Sequence, residues 1–123
     1  MMPSNSLDPE VCECDTVSEA DVQAAAGGLI ETQVAQDLAA VFKALSDPTR
    51  LRIISALAGH EFCVNDLAAA LSLGQSAISH QLSDMRDLRL VRFRRSGRHV
   101  YYTLDDEHVR DLFDQGMAHI QHR

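Results

Sequence analysis

Apolar residues recur along most of this chain with helical period, broken by short polar stretches, and near the C-terminal third the period shortens to two. Val34, Leu38, Val41, Phe42 and Leu45 form one stripe and predict a helix over about 33–45. Ser46-Asp47-Pro48 ends it and starts another, with Asp47 as N-cap and Pro48 at the first helical position. Leu51, Ile54 and Leu57 continue the core stripe until Gly59. Val64, Leu67, Ala68 and Leu71 predict a short helix, the turn Ser72-Leu73-Gly74 follows, and a helix from Gln75 to about Asp87 turns Ile78, Leu82 and Met85 inward. After Leu90 the alternation Val91, Phe93 and then Val100, Tyr102, Leu104 predicts two strands around Arg94-Arg95-Ser96-Gly97-Arg98-His99. Asp105-Asp106 supplies an N-cap for a last helix, Glu107 to Gln121, with Val109, Leu112, Phe113, Met117 and Ile120 apolar.

The predicted fold is mainly α with a β-hairpin, in the order α-α-α-α-β-β-α. Two short helices joined by a glycine-containing turn and followed by a hairpin read as a winged helix-turn-helix. Residues 21–123 are expected to form this domain. Residues 1–20, with Pro3, Pro9, serines and acids but no apolar period, read as a flexible arm whose unusual content is Cys12-Glu13-Cys14. Between them, Val22 to Ala26 predicts a short Ala-rich helix broken at Gly27-Gly28.

At 123 residues, 46% of them hydrophobic, the chain suffices for one domain with a core. No long apolar run suggests a membrane span, and the acidic start lacks the regions of a signal peptide, so a cytoplasmic protein is expected. Three cysteines, two of them in a C-x-C pair, fit reduced thiolates and metal better than a disulfide scaffold. The net charge of −7 hides a strong asymmetry. Eight acids and no Lys or Arg fall before residue 38, whereas 75–100 hold six arginines against two aspartates, a local charge of +4. It is local charge that meets phosphate.

The C-terminal spacing Asp106-x-His108 and His119-x-x-His122 carries the sharpest chemistry. Eleven residues of helix separate His108 from His119 by roughly 16 Å, while a zinc ion holds its ligands at about 2 Å. One helix therefore cannot close both ends on one metal. Eleven steps nonetheless return to within roughly 20° of the starting direction, so both ends share a face. Two such helices packed antiparallel would place Asp106 and His108 of one chain beside His119 and His122 of the other, giving two symmetric four-ligand sites in a homodimer. Two or three imidazoles with a carboxylate suit Zn(II) or Co(II) better than a softer ion.

The segments Leu45-Ser46-Asp47-Pro48-Thr49-Arg50-Leu51-Arg52-Ile53, Glu61-Phe62-Cys63-Val64-Asn65-Asp66-Leu67, Ser76-Ala77-Ile78-Ser79-His80-Gln81-Leu82 and Gly97-Arg98-His99-Val100-Tyr101-Tyr102 together resemble the ArsR/SmtB family of metal-sensing winged-helix repressors, and its cyanobacterial zinc-responsive type above all. The resemblance runs from about Val34 to the C-terminus. It implies a homodimer, joined through the terminal helices, that binds operator DNA and lets go when metal binds, derepressing a metallothionein or efflux gene. Asp106, His108 and His119 match the family's ligand positions, and His122 stands where Glu is usual. The family also implies a second, thiolate-rich site on the helix bearing Cys63 and Asp66, completed by an arm carrying Cys12 and Cys14. Asn65 replaces a second cysteine found there in some members. Cd(II), Pb(II) or Cu(I) would suit that site, and zinc would also fit.

For DNA, the helix starting at Gln75 should enter the major groove with Gln75, Ser76, Ser79 and His80 nearest the base edges. Arg94, Arg95 and Arg98 of the wing should neutralise phosphates or reach the minor groove. Two other readings compete with a zinc-released repressor. One is a sensor driven by the cysteines, the other a metal-buffering or interaction module that binds no DNA. An enzyme is not expected, because no general base stands beside an open coordination position.

Overall fold

The computed structural model describes residues 16–122, which place six helices and three strands. The described residues divide into two compact units at the boundary between Ala35 and Gln36. In the first, Ser18 caps α1 (Glu19–Gly27) by accepting the Asp21 N–H at 3.3 Å. This helix starts before the Ala-rich stretch and buries none of its residues. The cap and the acids Glu19 and Asp21 in its first turn explain the earlier start. α2 (Thr32–Ala44) begins in this unit and ends in the next.

The second unit holds the core. Asp47 accepts the Arg50 N–H at 3.0 Å and Pro48 opens α3 (Pro48–Leu57), the break expected from Ser46-Asp47-Pro48. A short strand, β1 (Phe62–Cys63), then leads directly into α4 (Val64–Leu71). α5 (Gln75–Asp87) follows after a turn in which Ser72, not a glycine, adopts the left-handed conformation, φ 57°. Ser72 N–H and Leu73 N–H close the end of α4 onto the Ala69 and Ala68 carbonyls at 3.2 and 2.9 Å, so two otherwise orphaned acceptors are satisfied.

β2 (Val91–Ser96) and β3 (His99–Leu104) form the antiparallel wing, with Val91 opposite Leu104 and Ser96 opposite His99. The two-residue turn between them places Gly97 at φ 61°, where a side chain would be strained. The hairpin-only expectation is extended here: β1 pairs antiparallel with β3, Cys63 opposite Tyr101, making a three-stranded sheet of order β1-β3-β2. Two residues are too few for alternation to reveal a strand. α6 (Glu107–Gln121) closes the fold, capped by Asp106.

Ile53, Ile54, Leu57, Leu67, Ile78, Leu82, Met85 and Val91 are fully buried at the centre. Burying such a side chain is worth about 1.5–3 kcal/mol, which fixes α5 against α3 and α4. The expected core stripe of α3 needs correction: Leu51 is exposed and Ile53 takes its place beside Ile54 and Leu57. At 100° per residue, positions 53, 54 and 57 crowd one side, and 51 falls away from it. Leu38 and Phe42 of α2 are likewise exposed rather than interior, and the apolar Leu112, Met117 and Ile120 of α6 are exposed as well. Among the described residues, no helix is long and apolar enough to cross a membrane.

Candidate functional site

The inner face of α5 is fixed by Ile78, Leu82 and Met85, which aims Gln75, Ser76, Ser79 and His80 outward, all exposed. No carboxylate lies among those four. Arg50 of α3 holds this helix from behind: its Nε donates to Gln81 Oε1 at 2.7 Å and its guanidinium meets Asp84 Oδ2 at 3.4 Å. Asp84 also faces His80 Nε2 at 3.8 Å, one turn back. Sequence reasoning missed this clamp, because partners thirty-one and thirty-four residues apart leave no periodic signal. Arg50→Ala should cost about 1–2 kcal/mol of stability in urea unfolding, the scale of a charge-assisted hydrogen bond. An unchanged transition midpoint would show that the clamp carries no weight.

The wing presents its arginines unequally. Arg95 and Arg98 are exposed near its tip. Arg94 donates from Nε and Nη2 to the Glu61 carboxylate, and its guanidinium lies 4.8 Å from the Tyr101 ring centroid. The hydrogen bond from Arg94 holds the Glu61 carboxyl below the usual carboxylate range and, reciprocally, raises Arg94. Arg94 thus ties the wing to the segment before β1. The residues expected at DNA nevertheless fall on one stretch of chain, α5 followed by the wing.

At the terminal helix, Asp106 accepts the Val109 N–H at 3.2 Å as N-cap, and its other oxygen lies 3.4 Å from His108 Nδ1. The backbone hydrogen bond from Val109 first, and His108 next, hold the Asp106 carboxyl below its ordinary value. A depressed carboxylate contributes stability present above its unfolded pKa and lost as pH falls through the folded one. At the far end of the helix, His119 sits in the last turn and His122 is the C-cap, its N–H shared between the Ala118 and His119 carbonyls at 3.2 and 3.3 Å. All four side chains are exposed. The structure keeps Asp106 with His108 and His119 near His122, at opposite ends of α6, and among the described residues no three His, Cys, Asp or Glu side chains converge as a metal cage. Between the two ends, α6 lines an apolar groove of about 350 Å³ formed by Phe42, Leu45, Leu51, Leu112, Phe113, Gly116, Met117 and Ile120.

Cys63 stands at the N-cap of α4, half-buried and making no side-chain capping bond, with Asp66 exposed in the first turn. It lines a cavity of about 200 Å³ with Asn65, Arg98 and His99, so it lies beside the wing. Cys12 and Cys14 lie outside the described residues, so this group is seen only from its helix side.

Residues 47–92 match the family described as "Bacterial regulatory protein, arsR family". The chain is 54% identical over 87 residues to a transcriptional repressor SmtB homolog of Synechocystis, a match covering 71% of this chain and 66% of that relative, just under two thirds. It is 41% identical over 93 residues to the HTH-type transcriptional regulator NmtR of Mycobacterium tuberculosis, covering 76% of this chain and 78% of NmtR. To a cadmium resistance regulatory protein, a CadC homolog of Staphylococcus aureus, it is 38% identical over 112 residues, 89% of this chain and 91% of that one. The solution structure of apo-NmtR matches with TM-score 0.68 at 34% identity, covering 94% of this chain and 90% of that chain. A homodimeric winged helix-turn-helix DNA-binding domain from Mycobacterium bovis matches with TM-score 0.68 at 30% identity, over 76% and 89% of the two chains. An α4–α5 reading head, a basic wing and relatives similar over most of their length lead to one conclusion: the chain belongs to the ArsR family of bacterial regulatory proteins, among its metal-sensing winged helix-turn-helix repressors.

Proposed function

We propose that the protein is a homodimeric repressor that holds operator DNA when metal-free and releases it on binding Zn(II) between the two α6 helices. The observation that carries this reading is the placement of two incomplete ligand pairs at opposite ends of one helix whose middle lines an exposed apolar groove. A second copy of the chain, antiparallel across that groove, satisfies both needs: it covers the apolar side chains and joins Asp106 and His108 of one protomer to His119 and His122 of the other. The homodimeric relative from Mycobacterium bovis supports such a partner. With one carboxylate and three imidazoles, each site offers four N/O donors, a set that suits tetrahedral Zn(II) and also Co(II).

In the metal-free dimer, the two α5 helices enter successive major grooves about one helical turn apart, with Gln75, Ser76, Ser79 and His80 at the base edges. Arg95 and Arg98 follow onto the flanking backbone, with Arg94 bracing the wing through Glu61. Metal joining the α6 ends favours a dimer geometry in which both reading heads no longer fit together. Coupling of about 1–3 kcal/mol would weaken operator binding roughly 5–150-fold, and bound operator would weaken zinc by the same factor. Fluorescence anisotropy of a labelled palindromic duplex tests this: Zn(II) should release the protein and a chelator should restore binding. Complexes unchanged by saturating Zn(II) would refute release by zinc.

A second reading rests on the half-buried Cys63 thiol, which makes no capping bond and shares a cavity with Arg98 and His99. Here Cys63 and Asp66, with Cys12 and Cys14 of the arm, hold Cd(II), Pb(II) or Cu(I) and the terminal site is structural. Repeating the anisotropy titration with these ions on Cys63→Ser separates the readings, since only the second predicts loss of response.

A further inference from the structure

The wing carries an aromatic ring that the core does not require. Phe93 is 37% exposed on a strand whose next two residues are Arg94 and Arg95. It stands opposite Tyr102 in register, with ring centroids 5.8 Å apart, and Tyr102 is itself buried, so the ring is anchored from below. Two guanidinium groups lie over it: Arg95 of β2, two residues on and on the same strand face, at 5.9 Å from its centroid, and Arg86 of α5 at 5.3 Å. One ring therefore gathers cations from the recognition helix and from the wing.

Like charges drawn together over one ring repel, and Asp87 stands 4.0 Å from the Arg86 guanidinium, only at the edge of ion-pair range. Arg94 is in the opposite situation. It points to the other strand face, where Glu61 already occupies its donors and Tyr101 lies against it. From this geometry we infer that Arg86 and Arg95, ordered by Phe93, form one grip on the phosphodiester backbone that joins the reading helix to the wing, and that Arg94 takes no phosphate. The inference rests on the DNA-binding reading above and adds to it two residues, Arg86 and Phe93. Preordering over the ring lowers the side-chain entropy lost when each guanidinium meets a phosphate oxygen. The partner is the duplex backbone because Arg86 and Arg95 expose two guanidinium groups beside the polar outward face of α5, Gln75, Ser76, Ser79 and His80, and guanidinium groups pair with phosphate oxygens while that face meets base edges.

The test is the salt dependence of binding by the full-length, metal-free protein to a labelled palindromic duplex. Every phosphate that is no longer neutralised lowers the slope of log affinity against log salt by about 0.9. Arg86→Ala and Arg95→Ala should each show that decrease. Phe93→Leu, which keeps every charge, should weaken binding about three- to tenfold, and Phe93→Tyr should restore it. The charge-neutral double variant Glu61→Gln/Arg94→Gln should keep the wild-type slope. A wild-type slope in Arg86→Ala, or a drop of about one in the Glu61/Arg94 double variant, would overturn the assignment while leaving DNA binding intact. A wild-type protein with no salt-dependent duplex binding would instead overturn the reading beneath it.

Discussion

Leu112→Glu should give a folded monomer whose operator affinity is lower by more than about a hundredfold, the scale involved when two linked reading heads act separately. Leu112 lies in the middle of α6 and is 39% exposed in the single chain, with Met117 and Ile120 along the same groove and Phe42 and Leu51 across it. A continuous exposed apolar groove of this kind marks an interaction surface. In a dimer closed over α6, the glutamate would be buried against apolar side chains of the partner, without a cation to pair with, and such burial costs several kcal/mol. The protomer itself should tolerate the change, because Leu112 is not part of the buried cluster around Ile53, Leu67, Leu82 and Met85. Sedimentation should therefore give the monomer mass while circular dichroism keeps its helical signal. The same variant should bind Zn(II) weakly, since Asp106 and His108 would be parted from their partners in the second chain. A Leu112→Glu protein that remains dimeric would remove α6 as the interface, and with it the shared metal site.

Much of this was legible in the chain because caps and periodicity act locally. Asp47 and Asp106 were readable as N-caps, and both accept the N–H three residues on. Ile78, Leu82 and Met85 were readable as one face of α5, and all three are fully buried. What periodicity does not distinguish is a face buried by its own chain from one left for a partner. Leu38 and Phe42, read as part of the core stripe of α2, and Leu112 and Ile120, read only as apolar positions of α6, all stay exposed in the protomer. Pairings remote in sequence were equally invisible: β1 with β3, Arg50 with Gln81 and Asp84, and Arg94 with Glu61. The last of these changes the reading of the wing, since an arginine count alone treats Arg94 and Arg95 alike. The proposed terminal ligands were read from a spacing alone, and the structure adds where α6 puts those four side chains: at its two ends, with an apolar groove between.

His119→Ala should separate metal response from DNA binding more cleanly than any other single change. The imidazole sits exposed in the last turn of α6, outside the buried cluster, and far along the chain from α5 and the wing. Metal-free operator affinity and the unfolding transition should stay at wild-type values. Each proposed terminal zinc site, however, would fall from four protein ligands to three. Even removing a partner behind a ligand typically costs 10–100-fold in metal affinity, so removing the ligand itself should weaken Zn(II) by at least about a hundredfold. Because the coupling is reciprocal, a site that no longer binds zinc cannot transmit zinc's preference for the released dimer. Anisotropy at zinc concentrations that fully dissociate the wild type should then show the His119→Ala complex intact. His122→Ala should weaken the response less, because His122 lies beyond the last helical turn, at the C-cap, and helix ends fray. If His119→Ala released DNA at the wild-type zinc concentration while Cys63→Ser did not, the switch would belong to the thiolate at the start of α4, and the terminal ligands would serve only to hold the dimer.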